Sequence, residues 1–179
     1  MDQKRDRILA QLSNTAGGLE HKYLTFLLDQ SLFGLPITEV VQIIGLPQIT
    51  QVPEYPKYMR GVIDLRGEIV PLIDVRMRFG KPERDYDTRT CVIIANIRGR
   101  GFGFIVDEVD EVTYIAPELV SPPPQLSEDS STHYLMGIAR LGSKIVLLLN
   151  PSHVLSDQEF TALAQAANSA GQPLEPANP

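Results

Sequence analysis

The stretch Gly61-Val62-Ile63-Asp64-Leu65-Arg66-Gly67-Glu68-Ile69-Val70-Pro71-Leu72-Ile73 returns as Gly137-Ile138-Ala139-Arg140-Leu141-Gly142-Ser143-Lys144-Ile145-Val146-Leu147-Leu148-Leu149, identical at 5 of 13 positions. Each copy reads as two β-type runs around a tight turn. A block upstream repeats in the same order: residues 33–43 (FGLPITEVVQI) lie over 102–112 (FGFIVDEVDEV), identical at 4 of 11. The offsets, 76 and 69, differ by about one surface-loop insertion. One strand-rich unit has been used twice.

Working outward, β-type runs are expected at 23–28, 32–37, 43–49, 61–65, 68–73, 90–97, 102–106, 111–115, 137–141 and 144–149. That is five strands per half and an all-β class. A flat five-stranded sheet would leave two long edges and a wet apolar face, so each half is expected to close into a small barrel. Residues 90–97 and 145–149 are nearly continuous apolar runs that need cover on both faces, and the other barrel is the simplest cover. Pro71 cannot donate to a ladder, which predicts an edge or a bulge there.

Both halves end in a capped turn of helix. Asp74 can cap Val75 to Phe79, closed by Gly80, and Asn150 can cap a turn with Pro151 at its first position. Ser156-Asp157-Gln158-Glu159 reads as a capping box opening a helix to about Ala167. The expected organisation is an N-terminal tail (1–21, with a short frayed helix ending at Gly17-Gly18), a domain over 22–160, and a disordered tail over 169–179. Within the domain, subdomain 1 covers about 22–88 and subdomain 2 about 89–155, with a C-terminal helix from 157.

The net charge is −6, which argues against general nucleic-acid binding. Residues 57–84 nevertheless hold seven cations and four anions, a local +3 against −9 elsewhere. That segment reads either as a solvated face or as a docking surface for an acidic partner. The one cysteine, Cys91, cannot form an internal disulfide and reads as core. No apolar run approaches the roughly 20 residues that span a bilayer, and no signal-peptide pattern opens the chain, so a cytoplasmic protein without membrane insertion is expected.

No catalytic pattern emerges from the sequence. His21, His133 and His153 have no second cysteine to join as metal ligands. Gly99-Arg100-Gly101-Phe102-Gly103 lacks the Lys-Ser/Thr of a phosphate loop and reads as a hairpin turn. Asp107, Glu108, Asp110 and Glu111 read as a solvated face, and Ser121-Pro122-Pro123-Pro124 as a stiff connection between strands. Neither an enzyme nor a cofactor is implied. Arg66 is harder to explain, because a turn needs no arginine and the matching residue in the second copy is Gly142. A planar cation on a rigid hairpin tip suits pairing with a carboxylate on another protein.

The run from Tyr58 through Gly61-Val62-Ile63-Asp64-Leu65-Arg66-Gly67 to Gly80 resembles the hallmark segment of the CheW family of chemotaxis coupling proteins. Further resemblance runs through 33–37, 89–93, 134–137 and 145–150, covering about residues 22–160. It implies two five-stranded SH3-like barrels on a common core and a non-catalytic adaptor. Its implied partners are the cytoplasmic tips of chemoreceptors and the regulatory domain of the histidine kinase CheA, and its implied place is at receptor arrays on the inner face of the membrane. Asp64, Leu65, Arg66 and Gly67 occupy the family's Asn-Leu-Arg-Gly turn, which the resemblance assigns to receptor and kinase coupling. Val40, Gln42 and Ile43 fall where the family places kinase contacts. Gln42 stands where many members carry Glu, and Asp64 replaces the usual Asn.

Two other readings fit parts of the sequence. A CheW-like adaptor could serve a chemosensory pathway other than flagellar chemotaxis. From a different class, a small barrel could bind single-stranded nucleic acid through the basic segment and Tyr55, Tyr58, Phe79 and Tyr86. A receiver-bearing or kinase architecture is expected to fail on length, with 24 residues after Leu155.

Overall fold

The computed structural model describes residues 2–13, 19–124 and 134–171. Helix α1 (Asp2–Ser13) leads into strands β1 (Lys22–Leu28), β2 (Ser31–Pro36) and β3 (Val40–Gly45), then β4 (Met59–Leu65), β5 (Glu68–Asp74) and the short helix α2 (Val75–Arg78). The second unit supplies β6 (Cys91–Ile97), β7 (Arg100–Val106), β8 (Glu108–Tyr114), β9 (Val120–Ser121), β10 (Leu135–Leu141) and β11 (Lys144–Leu149), followed by helix α3 (Asp157–Gly171). The chain is mostly β, as expected. The strands form a six-stranded sheet, β8-β1-β2-β11-β10-β9, and a five-stranded sheet, β3-β6-β7-β5-β4.

That order corrects the division near residue 88. The hairpin β1–β2 of the first unit sits in the sheet of β8 to β11, and the hairpin β6–β7 of the second sits in the sheet of β3 to β5. The two units have exchanged their leading hairpins. The exchange obeys the sequence offsets: the parallel pair Gly34 with Leu148 maps onto Gly103 with Leu72, and the antiparallel pair Leu24 with Val112 onto Ile93 with Ile43. Close packing explains why these glycines recur. A Cβ on Gly103 would lie 2.2 Å from Leu72 Cδ2, and one on Gly34 3.1 Å from Leu148 Cδ2.

Each sheet curls until its ends approach. In the five-stranded sheet Thr50, just past β3, bonds Val62 of β4 in both directions at 2.9 and 2.8 Å. Gly61 makes this possible, since at φ +142° a Cβ would stand 2.2 Å from the Thr50 carbonyl oxygen. The six-stranded sheet repeats the contact where Ser121 pairs with Ile138. Pro71 lies opposite Val62 on β4, one residue before β5 begins to pair with β7, so its missing donor falls where the strand has a single neighbour.

Ile63, Val70, Leu72, Val92, Ile94 and Ile105 fill one sheet's interior, and Ile115, Ala139, Val146 and Leu148 the other's. The largest cluster lies between the sheets, where Leu24, Phe26 and Leu35 meet Ile93, Phe102 and Phe104. The run 90–97 is therefore covered on both faces. The run 145–149 is not, because Ile145 is 54% exposed.

The Asp74 cap accepts from the Met77 amide and Gly80 closes the turn at φ +78°, while Asn150 caps Ser152 at 3.0 Å. The capping box is reciprocal: Ser156 N–H donates to Glu159 at 3.0 Å and Glu159 N–H to Ser156 Oγ at 3.1 Å. Helix α3 then runs on to Gly171, past the expected stop near 167 and the expected tail start at 169. The expected tail over 172–179, the Gly17-Gly18 stop and His133 lie outside the described residues. Nor is the N-terminal segment a free tail, because Ile8 is 2% exposed within the shared core. No helix of the described residues is long and apolar enough to cross a membrane.

Candidate functional site

The β4–β5 hairpin turns on two residues, with Leu65 opposite Glu68. Both central residues have positive φ, Arg66 at 54° and Gly67 at 87°. This is the backbone of the tight hairpin turns that favour Asn-Gly, and a long side chain in the first position is disfavoured there. Asp64 Oδ1 accepts from the Gly67 amide at 2.8 Å and holds the turn. Leu65 packs against the interior of its barrel, while Asp64, Arg66 and Gly67 are exposed. The four turn residues thus divide into an anchor, a brace, a permissive glycine and a presented cation.

The basic segment around this tip is largely neutralised from within. Arg76 (6% exposed) grips the Asp107 carboxylate with two nitrogens, Nε at 3.3 Å, and lies 3.6 Å from Asp29. The Asp107 carboxylate, ahead of desolvation, pushes the Arg76 guanidinium further toward its charged form. Arg60 pairs with Glu83, Arg78 with Glu159, Lys81 with Asp29, and Arg84 with Asp87 and Asp107. Of the seven cations, Lys57 and Arg66 have no ion pair among the described residues. Asp107 is thereby corrected from a member of a solvated face to the anchor of a buried cation. Asp110 likewise accepts from Thr25 Oγ1 at 3.0 Å.

The second group lies on β3, an end strand of its sheet. Val40 and Gln42 are half-buried, but Ile43 is 3% exposed in the shared core. Ile43 is therefore corrected from interface to core. The residue that faces solvent is Val41, 59% exposed, which sequence reading passed over. Its register explains the miss. Val40 pairs with Ala95 and Gln42 with Ile94, so Val41 is the extra residue of a bulge and the alternation breaks there. Asp110 and Glu111 occupy the equivalent bulge of β8, opposite Thr25. No hydrogen bond or ion pair joins Gln42 to Arg66 among the described residues.

The aromatic side chains expected as a stacking platform, Tyr55, Tyr58, Phe79 and Tyr86, are all at least partly buried or engaged within the chain. Phe79 stacks on Tyr134 at 4.0 Å, Tyr86 donates to Asp74 at 2.8 Å, and Tyr58 donates to Glu159 beneath Arg78. Gly99 is a hairpin turn residue at φ +82°, as expected, and Arg98 before it reaches Asp157 at 2.7 Å.

The CheW-like domain family model matches residues 22–159. The chain belongs to the CheW family. It is 34% identical over 162 residues to the chemotaxis protein CheW of Klebsiella aerogenes, covering 90% of this chain and 98% of that one. Against the probable chemotaxis protein CheW of Rhizobium etli the identity is 29%, covering 80% and 92%. The crystal structure of the scaffolding protein TtCheW from Thermoanaerobacter tengcongensis superposes with a TM-score of 0.71 at 33% identity, covering 78% of this chain and 96% of that one. CheW-family proteins are scaffolds in chemotaxis signalling rather than enzymes, and this chain is read with them.

Proposed function

We propose that this CheW-family scaffold joins the cytoplasmic tips of chemoreceptors to the regulatory domain of a CheA kinase, at receptor arrays on the inner face of the membrane. The observation that carries the reading is Arg66, a long cation placed in left-handed backbone where the second copy of the repeat keeps glycine. Most neighbouring cations are spent on internal carboxylates, and this one faces outward. It would accept a partner carboxylate in a bidentate pair. Asp64, Leu65 and Gly67 fix its position. Val40, Val41 and Gln42, on the bulged end strand, form the kinase-facing surface. Receptor state then reaches the kinase through packed contacts, with no chemistry and no cofactor.

Gln42 lacks the charge that a glutamate would offer a cationic partner, so kinase binding is attenuated. Calorimetric titration with a CheA regulatory domain from the same genome tests this. The expected result is micromolar binding that tightens by up to about tenfold, roughly 1.4 kcal/mol, in Gln42→Glu. Absence of binding by wild type and variant alike would remove the kinase from the account.

A further inference from the structure

The duplication supplies two equivalent faces, β5 with β7 in one sheet and β11 with β2 in the other. The first is covered by α3, which packs along β5. Leu163 and Ala166 are buried in the cluster against which Ile69 packs, and Asn168 Oδ1 accepts from Arg100 at 2.6 Å. The offsets of 76 and 69 carry Glu68, Ile69 and Arg100 onto Lys144, Ile145 and Ser31. No helix of the described residues packs along β11 as α3 packs along β5, and Ile145 is left 54% exposed. It stands in a cleft of about 500 Å³ whose walls include Ser31 and Leu32 of β2, Lys144 and Leu147 of β11, and Asp110 of β8.

One end of the seat is closed in the same way on both faces. Phe160 stands 5.4 Å from the Phe102 ring, and the equivalent Phe33 has Phe79 at 5.9 Å. What stays open corresponds to the later turns of α3, around Leu163 to Asn168. Its width suits a helix. In the sheet β8 and β11 are three strand spacings apart, about 14 Å, and a helix with its side chains is about 10–12 Å across. The charge at the seat is reversed, because Lys144 stands where the first copy has Glu68. Lys144 is exposed and has no ion pair among the described residues. The parallel pairing of Val146 with Leu32 puts Ile145 level with Ser31, so a carboxylate facing Ser31 lies within reach of Lys144.

We propose that the β2/β11 cleft is a docking seat for a short amphipathic helix of a further partner protein, which sets an aliphatic residue on Ile145 and Leu147 and a carboxylate on Lys144. Asp110, on the far wall and bonded by Thr25, calls for a cation or an amide on the other flank of that helix. Among the described residues no wall of the cleft belongs to β3 or to the β4–β5 hairpin. The seat therefore stands apart from the kinase and receptor contacts proposed above, and its occupant adds a further protein to the scaffold.

The probe is a peptide of residues 155–171, the helix that fills the equivalent seat, with Asn168→Glu to supply the carboxylate. It is titrated into the isotope-labelled full chain, whose first seat is held by the resident α3. The amides of residues 30–32 and 144–147 should shift, with half-saturation below about 1 mM. Ile145→Asp should abolish those shifts and Lys144→Glu should weaken the peptide at least threefold, both at wild-type melting temperature because both side chains are exposed. Absence of shifts at these amides, or shifts that survive Ile145→Asp, would overturn the seat and leave the adaptor reading intact. Shifts confined to β5 and β7 would mean exchange with the resident α3 and would overturn it too. If the same amides respond to protein concentration without peptide, a second copy of this chain fills the cleft, and a partner of another kind is overturned.

Discussion

At the residue scale, Arg66 sits where the fold would prefer another side chain. Relieving its left-handed backbone with Asn should stabilise the protein by about 1 kcal/mol, and thermal unfolding should report a rise of roughly 2–4 °C. The same variant should lose coupling, because the cation is gone. A fall in melting temperature would mean that Arg66 makes a stabilising contact within the chain. The turn was legible from Leu65-Arg66-Gly67-Glu68, because glycine in a two-residue loop is a local signal. The core position of Ile43 was not. A bulge between Val40 and Gln42 cannot be read from an apolar run, since it depends on what β6 places opposite, and it turned Val41 outward in place of Ile43.

At the element scale, close approaches between strands rank the glycines. Gly103→Ala would press a methyl group into Leu72 and Val92 and should cost about 1–3 kcal/mol in chemical denaturation, more than Gly34→Ala, where the nearest atoms are 3.1 and 3.3 Å away. Equal losses would show that the two parallel junctions are not packed as described. The docking of α3 should depend on pH. Burial pushes the Glu159 carboxyl up, but hydrogen bonds from Tyr58 and Ser156 and the charge of Arg78 outweigh it and hold the group below its ordinary value. A lowered pKa contributes stability that is present above the ordinary carboxylate value of about 4.5 and is lost as pH falls through the lower, folded value. Denaturation curves at pH 7 and pH 4 should therefore show Glu159→Gln destabilising at the higher pH and closer to neutral at the lower. A pH-independent cost would assign Glu159 a purely steric role. The capping box that opens α3 was readable because it is local. Its clamp to Tyr58 and Arg78, contacts spanning 101 and 81 residues, was not.

At the scale of the whole molecule, the duplication was visible in the sequence but the hairpin exchange was not. Repeat identity shows which residues are equivalent, and says nothing about whether β1–β2 pairs with its own unit or with the other. The pairing that won places both hairpins across the shared core, tied by Asp29 to Arg76 at one junction and by Arg98 to Asp157 at the other. Neither half can then complete a barrel alone. Residues 1–88 and 89–179, prepared separately, should give collapsed amide spectra, and mixing them should restore the dispersed spectrum of the intact chain; either half folding alone would contradict the exchanged topology. Within such a body the strand β5 that carries the exposed hairpin tip pairs with β4 of its own unit and with β7 of the other, so the tip is joined to both units of the duplication. The most direct test is receptor-controlled kinase activity in assemblies reconstituted from receptor, CheA and this protein, comparing wild type with Arg66→Glu at matched melting temperature. The account predicts that Arg66→Glu folds normally and leaves the kinase unresponsive to receptors, whereas wild-type coupling by that variant would contradict it.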